Sequence, residues 1–120
     1  MAGARRRRLS RSAEFDRVYR EGRSHAGRHL VLYSFPREAG EDDTPRLGLS
    51  VGRKVGGAVE RNKVKRLLRE AFWQSEELLP AGHDFVVVAR SEAAEFAERE
   101  GLAGIKTELD ELLEKASPKK

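Results

Sequence analysis

The sequence contains no cysteine, which removes disulfides, thiolate metal sites and cysteine nucleophiles together. Its three histidines, His25, His29 and His83, show no metal-ligand spacing. His25 and His29 are four apart, but Gly27 lies between them where a strand begins, so all three read as structural or surface groups. The carboxylates form no obvious metal-binding cluster either. Neither Gly-x-x-x-x-Gly-Lys-Ser/Thr nor Gly-x-Gly-x-x-Gly occurs, which excludes a P-loop and a dinucleotide fingerprint. No apolar run approaches the about 18 residues of a membrane helix. The basic opening, Met1 to Arg8, runs into charged sequence, so it is not expected to be a secretory signal. What is left is 120 residues, 38% hydrophobic and 7% aromatic, enough for one domain with one core. A soluble cytoplasmic protein with no catalytic side chains of its own is expected.

Charge is what the chain has in excess. A formal +4 on a sequence that is 37% charged is modest, but it is unevenly placed. Residues 1–75 hold 18 of the 24 basic and 9 of the 20 acidic residues; residues 76–120 are net acidic. Such asymmetry points to a polyanionic partner for the first part of the chain.

Residues 1–11 carry Arg5 to Arg8 and Arg11 with little apolar content and read as a flexible basic arm. A single domain is expected over 12–116, with 117–120 as a tail. Ser12 caps a short helix to Glu21, on which Phe15, Val18 and Tyr19 share a stripe, and Gly22 stops it. Strands are expected at His29–Phe35 and at Arg46–Val51, the latter alternating Leu47, Leu49 and Val51 against Arg46, Gly48 and Ser50. A long helix is expected from Ala58 to Leu79, ended by Pro80-Ala81-Gly82. Phe85–Ala89 is uninterrupted apolar sequence, as in a strand covered on both faces. A last, acidic helix follows Ser91, its register blurred by Gly101 and Gly104. This order argues for an α+β or α/β sandwich with a strand–helix–strand crossover between Val51 and Phe85.

The informative stretch is Ser50 to Phe72. At 100° per residue, Val64, Leu67, Leu68 and Ala71 form a core stripe. Asn62, Lys65, Arg66 and Arg69 fall on the opposite side with Trp73, and Arg61 lies near the boundary. Lys65 and Arg69 are like charges at i, i+4, a repulsion of a few tenths of a kcal/mol that an anion would relieve. The preceding loop adds Arg53 and Lys54 beside Gly56 and Gly57, where a helix N-terminus also offers free N–H groups. Between Arg53 and Arg69 there are seven basic residues and one acidic one, Glu60. A phosphate-lined RNA surface is the physical reading of this strip.

These residues resemble a known family, the protein component of bacterial ribonuclease P. The resemblance is carried by Val51 through Phe72, including the Arg61-Asn62-Lys63 and Lys65-Arg66 positions on a helix after a glycine-bearing loop. It extends to Leu9, Glu14-Phe15, Val18, Gly22, Val31-Leu32-Tyr33, Arg46 to Ser50 and Asp84 to Arg90. Glu60 departs from it, standing where an apolar or basic residue is expected. Trp73 does too, in place of a basic or polar one. The resemblance implies a two-layer α/β sandwich: a small mixed sheet of about four strands, three helices and a left-handed crossover. It implies a subunit that assists removal of the 5′ leader of precursor tRNA, with catalysis by an RNA subunit and Mg2+, and a monomer in the free state. Carried over, Arg53, Lys54, Arg61, Asn62, Lys65, Arg66 and Arg69 contact the catalytic RNA. A cleft of Phe15, Tyr19, Val31 and Tyr33 receives the single-stranded leader, since bases stack on aromatics in a positive groove. A ribosomal-protein-like structural RNA binder is the alternative; a metal-dependent nuclease ranks last.

Overall fold

Leu30–Pro36 (β3) and His83–Ala89 (β5) pair antiparallel along their full length, Leu30 opposite Ala89 and Pro36 opposite His83. Arg46–Ser50 (β4) runs parallel to β5 on its other side, and Arg23–Ala26 (β2) closes a hairpin onto β3. A two-residue strand, Arg7–Arg8 (β1), adds to β4 in parallel, giving one five-stranded mixed sheet in the order β1-β4-β5-β3-β2. The helices are Ser12–Glu21 (α1), Ala58–Gln74 (α2) and Ala93–Ala116 (α3). The structure, a computed structural model, describes residues 7–9, 12–37 and 44–116.

Strand periodicity splits the apolar residues between two cores. Leu30, Leu32, Leu47, Phe85 and Val87 face α2 and α3, where they meet Val64, Leu68, Ala71, Phe72, Ile105, Leu109 and Leu113. Phe72 and Phe85 pack edge to face at 5.5 Å. The alternate residues Val31, Tyr33, Phe35, Val86 and Val88 lie on the other face, which α1 covers in part through Phe15 and Val18. Sheet plus α2–α3 make the expected two layers, and α1 adds a partial third. The continuous apolar run of β5 follows from this: Phe85 and Val87 face one core, Val86 and Val88 the other.

Several boundaries move. The basic arm is not free throughout: Leu9, only 5% exposed, donates its N–H to Leu47 O at 3.0 Å and holds Arg7–Arg8 on the sheet edge. Residues 1–6, 10–11 and the 117–120 tail lie outside the described residues. The short strand β2 was not expected, because Arg-Ser-His-Ala has no apolar alternation; its edge position needs none. Helix α2 ends at Gln74 instead of Leu79. Pro80 holds Leu79 extended, so the chain tightens into a 3-10 turn at Glu76–Leu78. Helix α3 is two helical pieces joined at Gly101, whose φ of 66° suits glycine.

Candidate nucleic-acid interface

The loop between β4 and α2 is pinned by Val55, which is buried, and turns Arg53 and Lys54 outward. Glu60, the residue out of place in a basic segment, has a local purpose. Its Oε1 accepts the N–H of Gly57 at 3.0 Å, satisfying a donor at the helix start and complementing the dipole there.

Along α2 the expected core stripe is buried without exception: Val64, Leu67, Leu68 and Ala71 all sit against the sheet or α3. Asn62 and Arg66 are exposed, and Lys65, Arg69 and Arg61 are half-buried. The structure therefore brings Asn62, Lys65, Arg66 and Arg69 to one side, with Arg53 and Lys54 at its N-terminal end. Arg61 sits deeper, its Nε shielded from solvent and without a hydrogen-bond partner. Lys63 belongs elsewhere, turned toward α3 and paired with Glu98 at 3.3 Å. Trp73 also departs from its place on the helical wheel. It is 8% exposed, packs edge to face on Phe72 at 4.8 Å and borders Leu9, Phe15, Leu47 and Leu49, because β1, α1 and β4 close over this part of α2.

Arg17, Arg37, Arg46, Arg99 and Lys106 find carboxylates, as does Lys63 of α2, whereas Arg20, Arg23, Arg28, Arg90 and Lys115 find none among the described residues. Among the described residues none pairs with Arg53, Lys54, Arg61, Lys65, Arg66 or Arg69. Six cations left unneutralised on one flank repel each other in the free protein, and a row of phosphates would reverse that sign.

On the opposite sheet face three of the four cleft residues, Phe15, Tyr19 and Tyr33, come into ring contact. Phe15 and Tyr19 of α1 are 6.3 Å apart, Tyr19 meets Tyr33 edge-on at 4.9 Å, and Val31 shares the face of Tyr33 on β3. Tyr19 is 37% exposed, so this stack opens to solvent. The space above Gly48 is filled: a Cβ there would lie 2.7 Å from the Phe15 ring, so the missing side chain seats α1. Room opens further along, where Ser50, Val88 and Arg90 border a depression of about 540 Å3 that reaches Arg53 and Lys54.

Beneath the cleft is a cluster that sequence reasoning missed. The carboxylate of Asp84 has no exposure and accepts hydrogen bonds from Arg46 Nε and Nη2 at 2.8 Å each and from Arg37 Nη1 at 2.7 Å. Arg46 Nη1 also reaches Glu14 on α1 at 3.1 Å. Burial alone would raise the Asp84 carboxyl, but the hydrogen bonds and charges of Arg46 and Arg37 outweigh it and hold it below its ordinary value. Hydrogen bonding to Asp84 in turn raises Arg46. An aspartate next to an apolar run and an arginine in an alternating strand gave no signal that they are partners. His29 is structural as expected, with Nδ1 2.8 Å from Glu108 Oε1 and its ring stacked on Phe96.

This geometry defines a small α+β RNA-binding protein: an unneutralised cationic helix flank on one side and an open aromatic stack on the other. The family model described as Ribonuclease P matches residues 4–117. The chain is 47% identical over 88 residues to the ribonuclease P protein component of Halalkalibacterium halodurans, covering 73% of this chain and 72% of that one. It is 40% identical over 109 residues to the component from Shouchella clausii, covering 91% and 84%. The RNase P protein of Thermotoga maritima superposes with a TM-score of 0.81 at 34% identity, over 94% of this chain and 100% of that one. That of Staphylococcus aureus gives 0.78 at 35%, over 93% and 96%. The chain belongs to the ribonuclease P protein family.

Proposed function

We propose that this ribonuclease P protein grips the catalytic RNA along α2 and receives the 5′ leader of precursor tRNA in the α1–sheet cleft. In this reading Arg53, Lys54, Arg61, Asn62, Lys65, Arg66 and Arg69 contact the catalytic RNA. Phe15, Tyr19, Val31 and Tyr33 contact the leader. The observation that carries it is the row of α2 and loop cations without carboxylate partners among the described residues, back to back with an open aromatic stack. The protein works in the cytoplasm, a monomer until it meets the RNA.

The described residues do not fit a protein-borne Mg2+. No group of three or more His, Asp or Glu side chains among them is placed to hold a metal ion, and Asp84 is already taken up by two arginines. As the family resemblance implies, Mg2+ and bond breaking are assigned in this reading to the RNA subunit, and the protein binds and orients. The experiment is reconstitution on precursor tRNA with the leader length varied. Protein dependence is expected to fade as the leader shortens past the cleft. Cleavage by the protein without RNA overturns the reading.

A further inference from the structure

The α2 strip and the α1 cleft run together at the β4 edge. Among the described residues, strand β1 covers that edge at Arg46 and Leu47. Past it, Phe15, Trp73, Leu47 and Leu49 wall a pocket of about 170 Å3, with Arg8, Lys65 and Arg69 also lining it. Its walls are aromatic and aliphatic. Its three cations have no carboxylate partner among the described residues. Neither the stacked cleft of Tyr19 and Tyr33 nor the exposed Arg66 lines it.

Resting on the reading above, we infer that this pocket takes one unpaired nucleotide of the catalytic RNA, its base against Phe15 and Trp73 and its phosphate at Lys65 and Arg69. Size selects the ligand: the volume is below the roughly 300–1,000 Å3 that drug-sized molecules occupy, so it admits one ring system. Chemistry selects it too, since apolar walls beside cations suit a flat, weakly polar ring that carries an anion. A paired stem cannot enter, so the nucleotide is one turned out of its helix, the form in which RNA shows base faces to aromatic side chains. Continuity selects the source. Two of the three cations, Lys65 and Arg69, belong to the α2 strip assigned to the catalytic RNA, whereas Phe15 alone is shared with the leader cleft.

Trp73 is the only tryptophan in the sequence, so its emission reports on this pocket. The full-length protein is titrated with catalytic RNA alone, then with precursor tRNA added. A change in Trp73 emission with catalytic RNA alone is expected; a change only when precursor tRNA arrives overturns the assignment. Leu49→Phe fills the pocket without altering charge. It is expected to weaken catalytic-RNA binding about five- to tenfold, with the salt dependence unchanged and the Trp73 response lost, while the volume-conserving Leu49→Met binds as the wild type does. Wild-type affinity for a folded Leu49→Phe overturns the inference. If that variant fails to fold, the wild-type Trp73 titration decides alone. Failure of the underlying reading looks different: Arg66→Ala with Arg69→Ala would then leave the salt dependence unaltered.

Discussion

Arg46 and Asp84 are register partners in the parallel β4–β5 pair, and their side chains meet through two hydrogen bonds of 2.8 Å on the face that α1 covers. Arg37, just after β3, closes on the same carboxylate, and Arg46 reaches on to Glu14 of α1. One buried anion thus ties three adjacent strands and the first helix together on the sheet face that carries the aromatic cleft. The cations consumed here are structural. Lys65, Arg66 and Arg69 on α2 have no such partner among the described residues.

Asp84→Asn is expected to destabilise the fold by about 3–5 kcal/mol, because it removes the buried charge on which the largely buried guanidinium groups of Arg37 and Arg46 converge. Urea unfolding followed by far-UV circular dichroism measures this. A change under about 1 kcal/mol would mean that the arginines are solvated and the cluster is not holding the sheet.

Acid has a related effect. The carboxyl of Asp84 is depressed in the folded protein, so its contribution is fully present above the unfolded value of 3.8. It is lost as pH falls through the lower folded value. Wild-type stability is therefore expected to drop more steeply with acidification below about pH 4 than that of Asp84→Asn. Parallel slopes for the two proteins in urea titrations across this range would contradict the ion cluster.

Arg66→Ala combined with Arg69→Ala is expected to move thermal stability by no more than about 1 kcal/mol, as exposed and half-exposed positions with no ion-pair partner do. Affinity for the catalytic RNA is expected to fall, and the slope of log affinity against log salt to become shallower by about 2. A salt titration of filter-bound or fluorescently labelled RNA reads both. Leu67→Ala is the counterpart on the other side of α2. It is expected to cost about 2–5 kcal/mol of stability, since it leaves a cavity against α3 and the sheet, with the RNA affinity of the folded protein retained.

The helical wheel separated these two sides of α2 correctly because one side meets a continuous apolar surface and the other meets none. Periodicity reports burial, and burial is what it recovered in Val64, Leu67, Leu68 and Ala71. It failed at Trp73 for the same reason: a helix end can be closed over by elements that the helix's own sequence does not encode. Strand β2 was invisible since an exposed edge strand is specified by its partner's backbone and not by its own side chains. The Asp84 cluster joins residues 37, 46 and 84, and pairing at that separation exists only once the sheet order is known. The grouping of Phe15 and Tyr19 with Tyr33 came from the family resemblance, because Phe15 and Tyr19 alone read as ordinary core packing. The pocket at the β4 edge needed coordinates, as it is assembled from β1, α1, β4 and α2 together.

Tyr19 gives the sharpest test of the cleft. It is the large hydrophobic side chain of α1 that remains exposed, and its contact with Tyr33 is edge-on, which leaves a ring face open to a base. Val18, the fully buried residue beside it, anchors α1 independently. Tyr19→Ala is therefore expected to cost little stability while removing one stacking surface, worth about 1–3 kcal/mol per base. Affinity of the holoenzyme for precursor tRNA with a long leader is expected to fall roughly five- to a hundredfold. Affinity for tRNA without a leader is expected to hold, since nothing then occupies the cleft. Equal losses for both substrates would show that Tyr19 supports the fold or the catalytic RNA instead, and the cleft would lose its assigned ligand.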